Sequence, residues 1–111
     1  MEATSKKNIR VVVLDRPNPI GGIQVEGNVL DPKFASFVGL HPIPMRHGMT
    51  MGEMAVFLRN SFHEKCDLHV ISMKGWKRSL YFEETGLPFI PPSPNIPRIE
   101  STVIYLSLIH I

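Results

Sequence analysis

Asp15-Arg16-Pro17-Asn18-Pro19 sets a carboxylate, a guanidinium and an amide on one short stretch, with two prolines among them. The prolines fix φ and remove backbone donors, so the stretch reads as a stiff loop that holds its polar side chains in place. Such groups can grip the hydroxyls and the carboxylate of a sugar. A purely structural reading stands beside this one, in which Asp15 and Arg16 satisfy turn amides and each other.

A second cluster follows at Met45-Arg46-His47-Gly48-Met49-Thr50. Arg46 and His47 fall just ahead of a helix start, where free amides and the helix dipole favour an anion. His47 packed against its own loop is the structural alternative. Thr50-Met51-Gly52-Glu53 fits a capping box, in which the threonine hydroxyl and the glutamate carboxylate each satisfy a free amide. That role accounts for Glu53 in full, and a catalytic role is the second reading. Trp76, beside Lys77 and Arg78, offers a ring of the kind that stacks on sugar faces, or a core residue. Asn95, held in Ser93-Pro94-Asn95, offers an amide on a rigid backbone. Met45, Met49, Met51 and Met54 read as apolar gap-fillers.

The elements that must carry these residues can be read around them. Ile9 to Leu14 reads as a strand, and Val11 to Leu14 within it is a continuous apolar, β-branched run of the kind found in strands buried on both faces of a parallel sheet. It ends at Asp15, so the first polar loop lies beyond the carboxyl end of a strand, where open α/β sheets bind ligands. Ile20 to Pro44 is broken by Gly21-Gly22, Gly27, Asp31-Pro32, Gly39 and Pro42, and reads as a long irregular stretch. A helix then begins at the Thr50 cap. Met54, Phe57, Leu58 and Phe62 give it one apolar face, and it closes over Phe62 to Lys65. Leu68 to Met73 is the next strand, which makes the order strand, crossover, helix, strand of a βαβ-type unit. From Lys74 the chain turns irregular, through Pro91-Pro92-Ser93-Pro94-Asn95-Ile96-Pro97.

Composition removes several classes of function. The 111 residues, 43% hydrophobic and 20% charged, make one domain or part of one. A formal charge of +2 with scattered Lys and Arg forms no nucleic-acid stripe. No apolar run approaches membrane-spanning length. There is no G-x-G-x-x-G and no Walker loop, and His41, His47, His63, His69 and His110 lack zinc spacing, so neither a nucleotide cofactor nor a metal is expected. Cys66, the single cysteine, leaves the fold independent of an internal disulfide. Nothing in the sequence fixes an oligomeric state.

Both ends read as cut. Met1 to Lys7 resembles the tail of a helix stopped at Asn8, which makes Met1 an internal methionine taken as a start. The end, Leu106-Ser107-Leu108-Ile109-His110-Ile111, is a translation of CTG TCT CTT ATA CAC ATC, a string from a transposon sequencing adapter. The expectation is natural sequence to about Tyr105 and adapter beyond it; the alternative is an apolar strand from Val103 to Ile111.

The strings Leu14-Asp15-Arg16-Pro17-Asn18-Pro19, Ser36-Phe37-Val38-Gly39, Arg46-His47-Gly48-Met49-Thr50, Gly52-Glu53, Gly75-Trp76-Lys77-Arg78, Thr85-Gly86-Leu87-Pro88 and Pro92-Ser93-Pro94-Asn95 occur in this order. Together they resemble the NamZ-like exo-β-N-acetylmuramidases, a family long labelled only as a domain of unknown function. The resemblance spans Ile9 to Tyr105. It implies release of terminal N-acetylmuramic acid from the non-reducing end of peptidoglycan fragments by an exported, periplasmic or extracellular enzyme without a cofactor. It also implies a partial Rossmann-like N-terminal domain over residues 1–90, and a passage over 91–105 toward a second domain. Residues 106–111 would be adapter. The family's upstream Glu-His-Gly motif is absent here, so the fragment alone is expected to be inactive. Glycoside hydrolysis needs a proton donor and a carboxylate. Asp15 is the first candidate, with Glu53 behind it. Arg16 or Arg46 would pair with the lactyl carboxylate, and Asn18, His47, Trp76 and Asn95 complete the expected substrate contacts.

Two rival readings remain at this level. A non-catalytic carbohydrate- or peptidoglycan-binding module would use the same Arg, Asn and Trp contacts without a working acid and base. A nucleotide-binding α/β domain is disfavoured by the missing glycine-rich phosphate loop.

Overall fold

A computed structural model describes residues 1–108. Contacts divide the chain into two compact units: Met1–Asn18 with Met49–Lys77, and Pro19–Gly48 with the chain from Arg78 on.

The first unit is an α/β arrangement with parallel strands. It contains α1 (Glu2–Lys6), β1 (Val11–Leu14), α2 (Met51–Phe62) and β4 (Leu68–Ile71), while β2 (Glu26–Val29) and β3 (Pro44–Arg46) belong to the second unit. β1 and β4 pair in parallel, with Val11 opposite Leu68 and Leu14 opposite Ile71. Parallel neighbours need a crossover, and α2 supplies it, packing on both strands. Asn8 adopts a left-handed φ of 53° and ends the α1 segment, as its sequence position predicts. Thr4 on α1 brings its hydroxyl to 3.8 Å from the sulfur of the buried Cys66.

The expected strand and helix are present, but they bury different faces from those the sequence predicts. Along β1 burial alternates: Val11 and Val13 are half-buried, while Val12 and Leu14 are exposed, Leu14 to 69%. The expectation of a strand buried on both faces is therefore corrected: α2 covers one face and leaves the other open. On α2 the buried residues are Gly52 and Ala55, with Met54 and Leu58 half-buried and Phe57 and Phe62 exposed. The two phenylalanine rings meet each other edge-to-face at 6.2 Å. Small side chains face the strands because the helix lies too close for large ones. A Cβ on Gly52 would come within 2.6 Å of Val70 Cγ1 and 2.9 Å of Asp15 Cγ.

The second unit holds the largest difference from the sequence reading. The stretch expected to be irregular contains β2 (Glu26–Val29) and β3 (Pro44–Arg46), an antiparallel pair with Glu26 opposite Arg46 and a register shift before Val29 and Pro44. Neither strand shows alternating polarity. Glu26-Gly27-Asn28-Val29 is wholly exposed, and β3 is a three-residue segment that starts at a proline. Both therefore fall below what a period-two pattern can signal. Between them a 3₁₀ turn over Pro32–Phe34 is capped by Asp31, whose carboxylate accepts the Lys33 amide at 3.0 Å. A tight turn then closes between Ser36 and Gly39. Another 3₁₀ turn covers Phe82–Thr85, and the proline-rich stretch makes a turn with Ser93 paired to Ile96. α3 (Ile99–Leu108) follows. An apolar strand from Val103 is thus overturned through Leu108, where the backbone is helical; the remainder of the terminal hexapeptide, 109–111, lies outside the described residues.

Candidate functional site

In the first unit, the end of β1 and the start of α2 converge on the Asp15 carboxylate. Its Oδ1 accepts the amides of Gly52 at 2.7 Å and Arg16 at 2.9 Å, and its Oδ2 accepts the Thr50 hydroxyl at 3.1 Å. The first amides of a helix have no intrahelical partner, and an anion there is favoured by the dipole. Asp15 supplies that anion from a neighbouring strand. Gly52 allows the approach, since it has no Cβ to displace the carboxylate.

Glu53 lies one residue further along the same turn. Thr50 caps α2 with its hydroxyl accepting the Glu53 amide at 3.2 Å, and Glu53 Oε2 accepts the Thr50 amide at 3.1 Å, which completes the capping box read from sequence. Two carboxylates thus meet on one buried threonine. The loop from Asp15 is tied to the same helix start at other points. Asn18 Nδ2 donates to the Met49 carbonyl at 3.0 Å, and the Met51 amide reaches the Arg16 carbonyl at 3.5 Å. The Arg16 side chain lies on the surface, and Trp76 is half-buried. A hollow of about 410 Å³ in this unit lies at the other end of α2, lined by Glu2, Ser5 and Ser61–Lys65, away from the carboxylate cluster.

The second unit holds Arg46, His47 and Asn95. Arg46 is only 7% exposed and is already engaged. Nη1 donates to Glu26 Oε2 at 2.7 Å, and Nη2 donates to the Ile20 carbonyl at 2.8 Å and to the Tyr81 hydroxyl at 3.0 Å. Its Nε is buried and finds no hydrogen-bond partner among the described residues. Burial alone pulls this guanidinium down, but the bonds to Glu26 and Tyr81 outweigh it and hold the pKa above the usual arginine value. Arg78 donates to the carbonyls of Gly22 and Gly48, each at 3.2 Å. Gly48 takes a left-handed φ of 65°, and a Cβ there would lie 3.1 Å from the Gln24 carbonyl. His47 is half-buried, and that burial depresses its pKa below the ordinary histidine value. Asn95 is exposed in the Ser93–Ile96 turn, its amide donating to the Ser93 hydroxyl at 3.2 Å.

A hollow of about 120 Å³ lies beside Arg46, with Gln24, Arg78, Ser79 and Tyr81 on its walls. Ligand pockets run to roughly 300–1,000 Å³, so this one alone is too small for a saccharide. Among the described residues no group of three or more His, Cys, Asp and Glu side chains is arranged to hold a metal, and no helix is long and apolar enough to cross a membrane.

Sequence reasoning joined Thr50 and Glu53 in a capping box and picked out Asp15 by itself, but did not bring Asp15 to the other two. Glu26, Tyr81 and Gly52 were given no site role. Glu26 and Tyr81 are an ordinary exposed acid and a lone tyrosine when read along the chain, and only folding brings them to Arg46. Gly52 carried one usable signal: a glycine inside the first turn of a helix costs about 1 kcal/mol against alanine, which asks for a packing reason.

A helix N-terminus seated on a carboxylate at the end of a parallel strand places this chain among the α/β proteins that gather polar groups beyond their strand ends. Residues 1–100 match the family described as exo-β-N-acetylmuramidase NamZ, N-terminal, and the chain belongs to that family. Over 105 residues it is 53% identical to the peptidoglycan β-N-acetylmuramidase NamZ of Bacillus subtilis (strain 168), a match covering 95% of this chain and 25% of that protein. Two crystal structures of DUF1343 family proteins from Bacteroides fragilis NCTC 9343 share the fold. One superposes with a TM-score of 0.87 at 46% identity, covering 95% of this chain and 28% of the other. The second gives 0.82 at 38% identity, covering 95% and 30%. The chain therefore spans between a quarter and a third of the length of these relatives.

Proposed function

We propose that this chain is part of a glycoside hydrolase that releases terminal N-acetylmuramic acid from the non-reducing end of peptidoglycan fragments. The single observation that carries this reading is the 53% identity to a peptidoglycan β-N-acetylmuramidase over nearly the whole chain. The first unit contributes part of a Rossmann-like domain, and the proline-rich stretch after it leads toward a second domain in a longer source protein. Export to the periplasm or the cell exterior goes with this substrate.

Asp15 and Glu53 are the carboxylates of the proposed chemistry. Asp15 accepts hydrogen bonds from three donors, the Gly52 and Arg16 amides and the Thr50 hydroxyl, which hold its carboxylate in one orientation beside the proposed sugar site. Glu53 has one oxygen on the Thr50 amide and lies at the same helix start, which suits it to proton transfer. Arg16, exposed beside them, is proposed to pair with the lactyl carboxylate, with Asn18 and Trp76 contacting the sugar. In the second unit His47 and Asn95 are proposed ligand contacts. Arg46 would reach a ligand carboxylate only by exchanging Glu26 for it. Residues 1–111 alone are proposed to be inactive, because the Glu-His-Gly motif that the family resemblance places upstream is not among them.

The test is sugar release by the source protein with Glu53→Gln and Asp15→Asn. Loss of about 10²-fold or more in kcat for either, the scale of one general acid or base, supports the assignment. Unchanged turnover in both variants sinks it. A non-catalytic binding module is the second reading, since hydrogen bonds from the Thr50 cap account for both carboxylates without catalysis; binding of muramyl saccharides by the source protein with no release would establish it.

A further inference from the structure

We infer that Thr50 is a positioning residue that fixes the Asp15 and Glu53 carboxylates relative to each other, an inference that rests on the reading of those two carboxylates given above. Thr50 is 1% exposed, and it spends every polar atom of its side chain and its amide on this one cluster. The Glu53 amide can only donate, so at 3.2 Å the threonine oxygen is its acceptor. The hydroxyl has a single hydrogen, which is left for Asp15 Oδ2 at 3.1 Å. The Thr50 amide donates to Glu53 Oε2 at 3.1 Å. One residue therefore orients one oxygen of each carboxylate.

Helix capping explains only part of this. A capping box needs the hydroxyl as acceptor and the amide as donor. The bond to Asp15, which lies 35 positions earlier in the chain, adds nothing to the cap. It does fix a side chain whose other oxygen is already pinned by the Gly52 and Arg16 amides. With both oxygens held, Asp15 cannot rotate about its carboxylate axis, and Glu53 is indexed to it through the same threonine. Groups held in this way meet a substrate without reorganising, and small misplacements are costly.

The experiment compares T50S, T50V, T50G, D15N, E53Q and the double variant D15N/T50V in the source protein. It reads kcat and KM for muramic acid release per folded molecule, alongside the melting temperature. Glycine is nearly as good an N-cap as threonine, so T50G keeps the helix while removing the hydroxyl. The expected result is a loss of about a hundredfold in kcat for T50V and T50G with KM little changed, the scale of a misplaced catalytic group. Serine should restore most of that loss, and D15N/T50V should be no worse than D15N alone, because the two act through one contact. Thr50 is only a cap if T50V and T50G lower the melting temperature yet keep kcat, or if the double variant loses the product of the single losses. Should D15N and E53Q themselves turn over normally, the carboxylate reading fails and takes this inference with it. Should they fail while T50G turns over normally, only this inference falls.

Discussion

Gly52→Ala is the substitution whose outcome most depends on how α2 meets the strands. On propensity alone alanine should stabilise a helix by about 1 kcal/mol over glycine. The packing opposes it. The added Cβ would sit 2.6 Å from Val70 Cγ1, 2.9 Å from Asp15 Cγ and 3.0 Å from Asp15 Oδ1. Carbon atoms rest at about 3.5–4.0 Å, so helix and strands would have to separate by about 1 Å. Overpacking of this sort costs about 1–3 kcal/mol. Separation also stretches the 2.7 Å bond from the Gly52 amide to Asp15, and hydrogen bonds to a charged group contribute about 1.5–3 kcal/mol. The losses exceed the gain, and the net effect is a destabilisation of about 1–4 kcal/mol. Urea and thermal denaturation of the source protein, followed by circular dichroism, would read this as a lower midpoint, falling by about 2–8 °C per kcal/mol according to domain size. A variant as stable as the parent, or more so, would refute the close seating of α2 on Asp15 and Val70.

Two further outcomes follow from the second unit. Arg46→Lys should destabilise the protein by about 1–3 kcal/mol, because one ammonium cannot serve Glu26, the Ile20 carbonyl and the Tyr81 hydroxyl from a fixed fork; chemical denaturation checks this, and an unchanged midpoint would show the network to be idle. Burial lowers the His47 pKa in the folded state below its unfolded value of 6.5, so as pH falls through this range the native state binds fewer protons than the unfolded chain. Its contribution to stability is complete above pH 6.5 and is lost as pH falls from there through the lowered folded value, and a His47→Gln variant should flatten the pH dependence of the denaturation midpoint in that range.

The parts of this fold that the sequence announces are those whose signals are local. Val11-Val12-Val13-Leu14 needs no partner to read as a strand, and Thr50 with Glu53 spells a helix start in four residues. The face that α2 buries was misread because large apolar residues usually mark the core. Here the distance between helix and strand is set by a carboxylate hydrogen-bonded to the Gly52 amide, and that admits only Gly52 and Ala55. The β2–β3 pair escaped because β2 is exposed throughout, β3 is only three residues long and neither alternates, and its specificity lies in the Glu26–Arg46 ion pair across the strands. The same physics hid the organisation of the carboxylate site. Asp15 and Glu53 were each visible as candidates, but the threonine that joins them is separated from Asp15 by the whole of the first excursion into the second unit. Arg46 illustrates the converse: a residue type and position suited to an external anion turn out to hold an internal one.

The most direct test of the proposed function is incubation of the source protein with a disaccharide that carries N-acetylmuramic acid at its non-reducing end. Chromatography and mass spectrometry would follow the products. The account predicts free N-acetylmuramic acid from the source protein, and none from its Glu53→Gln variant or from residues 1–111 alone. An intact disaccharide that nevertheless binds the source protein would contradict it, and would make the chain part of a recognition module instead.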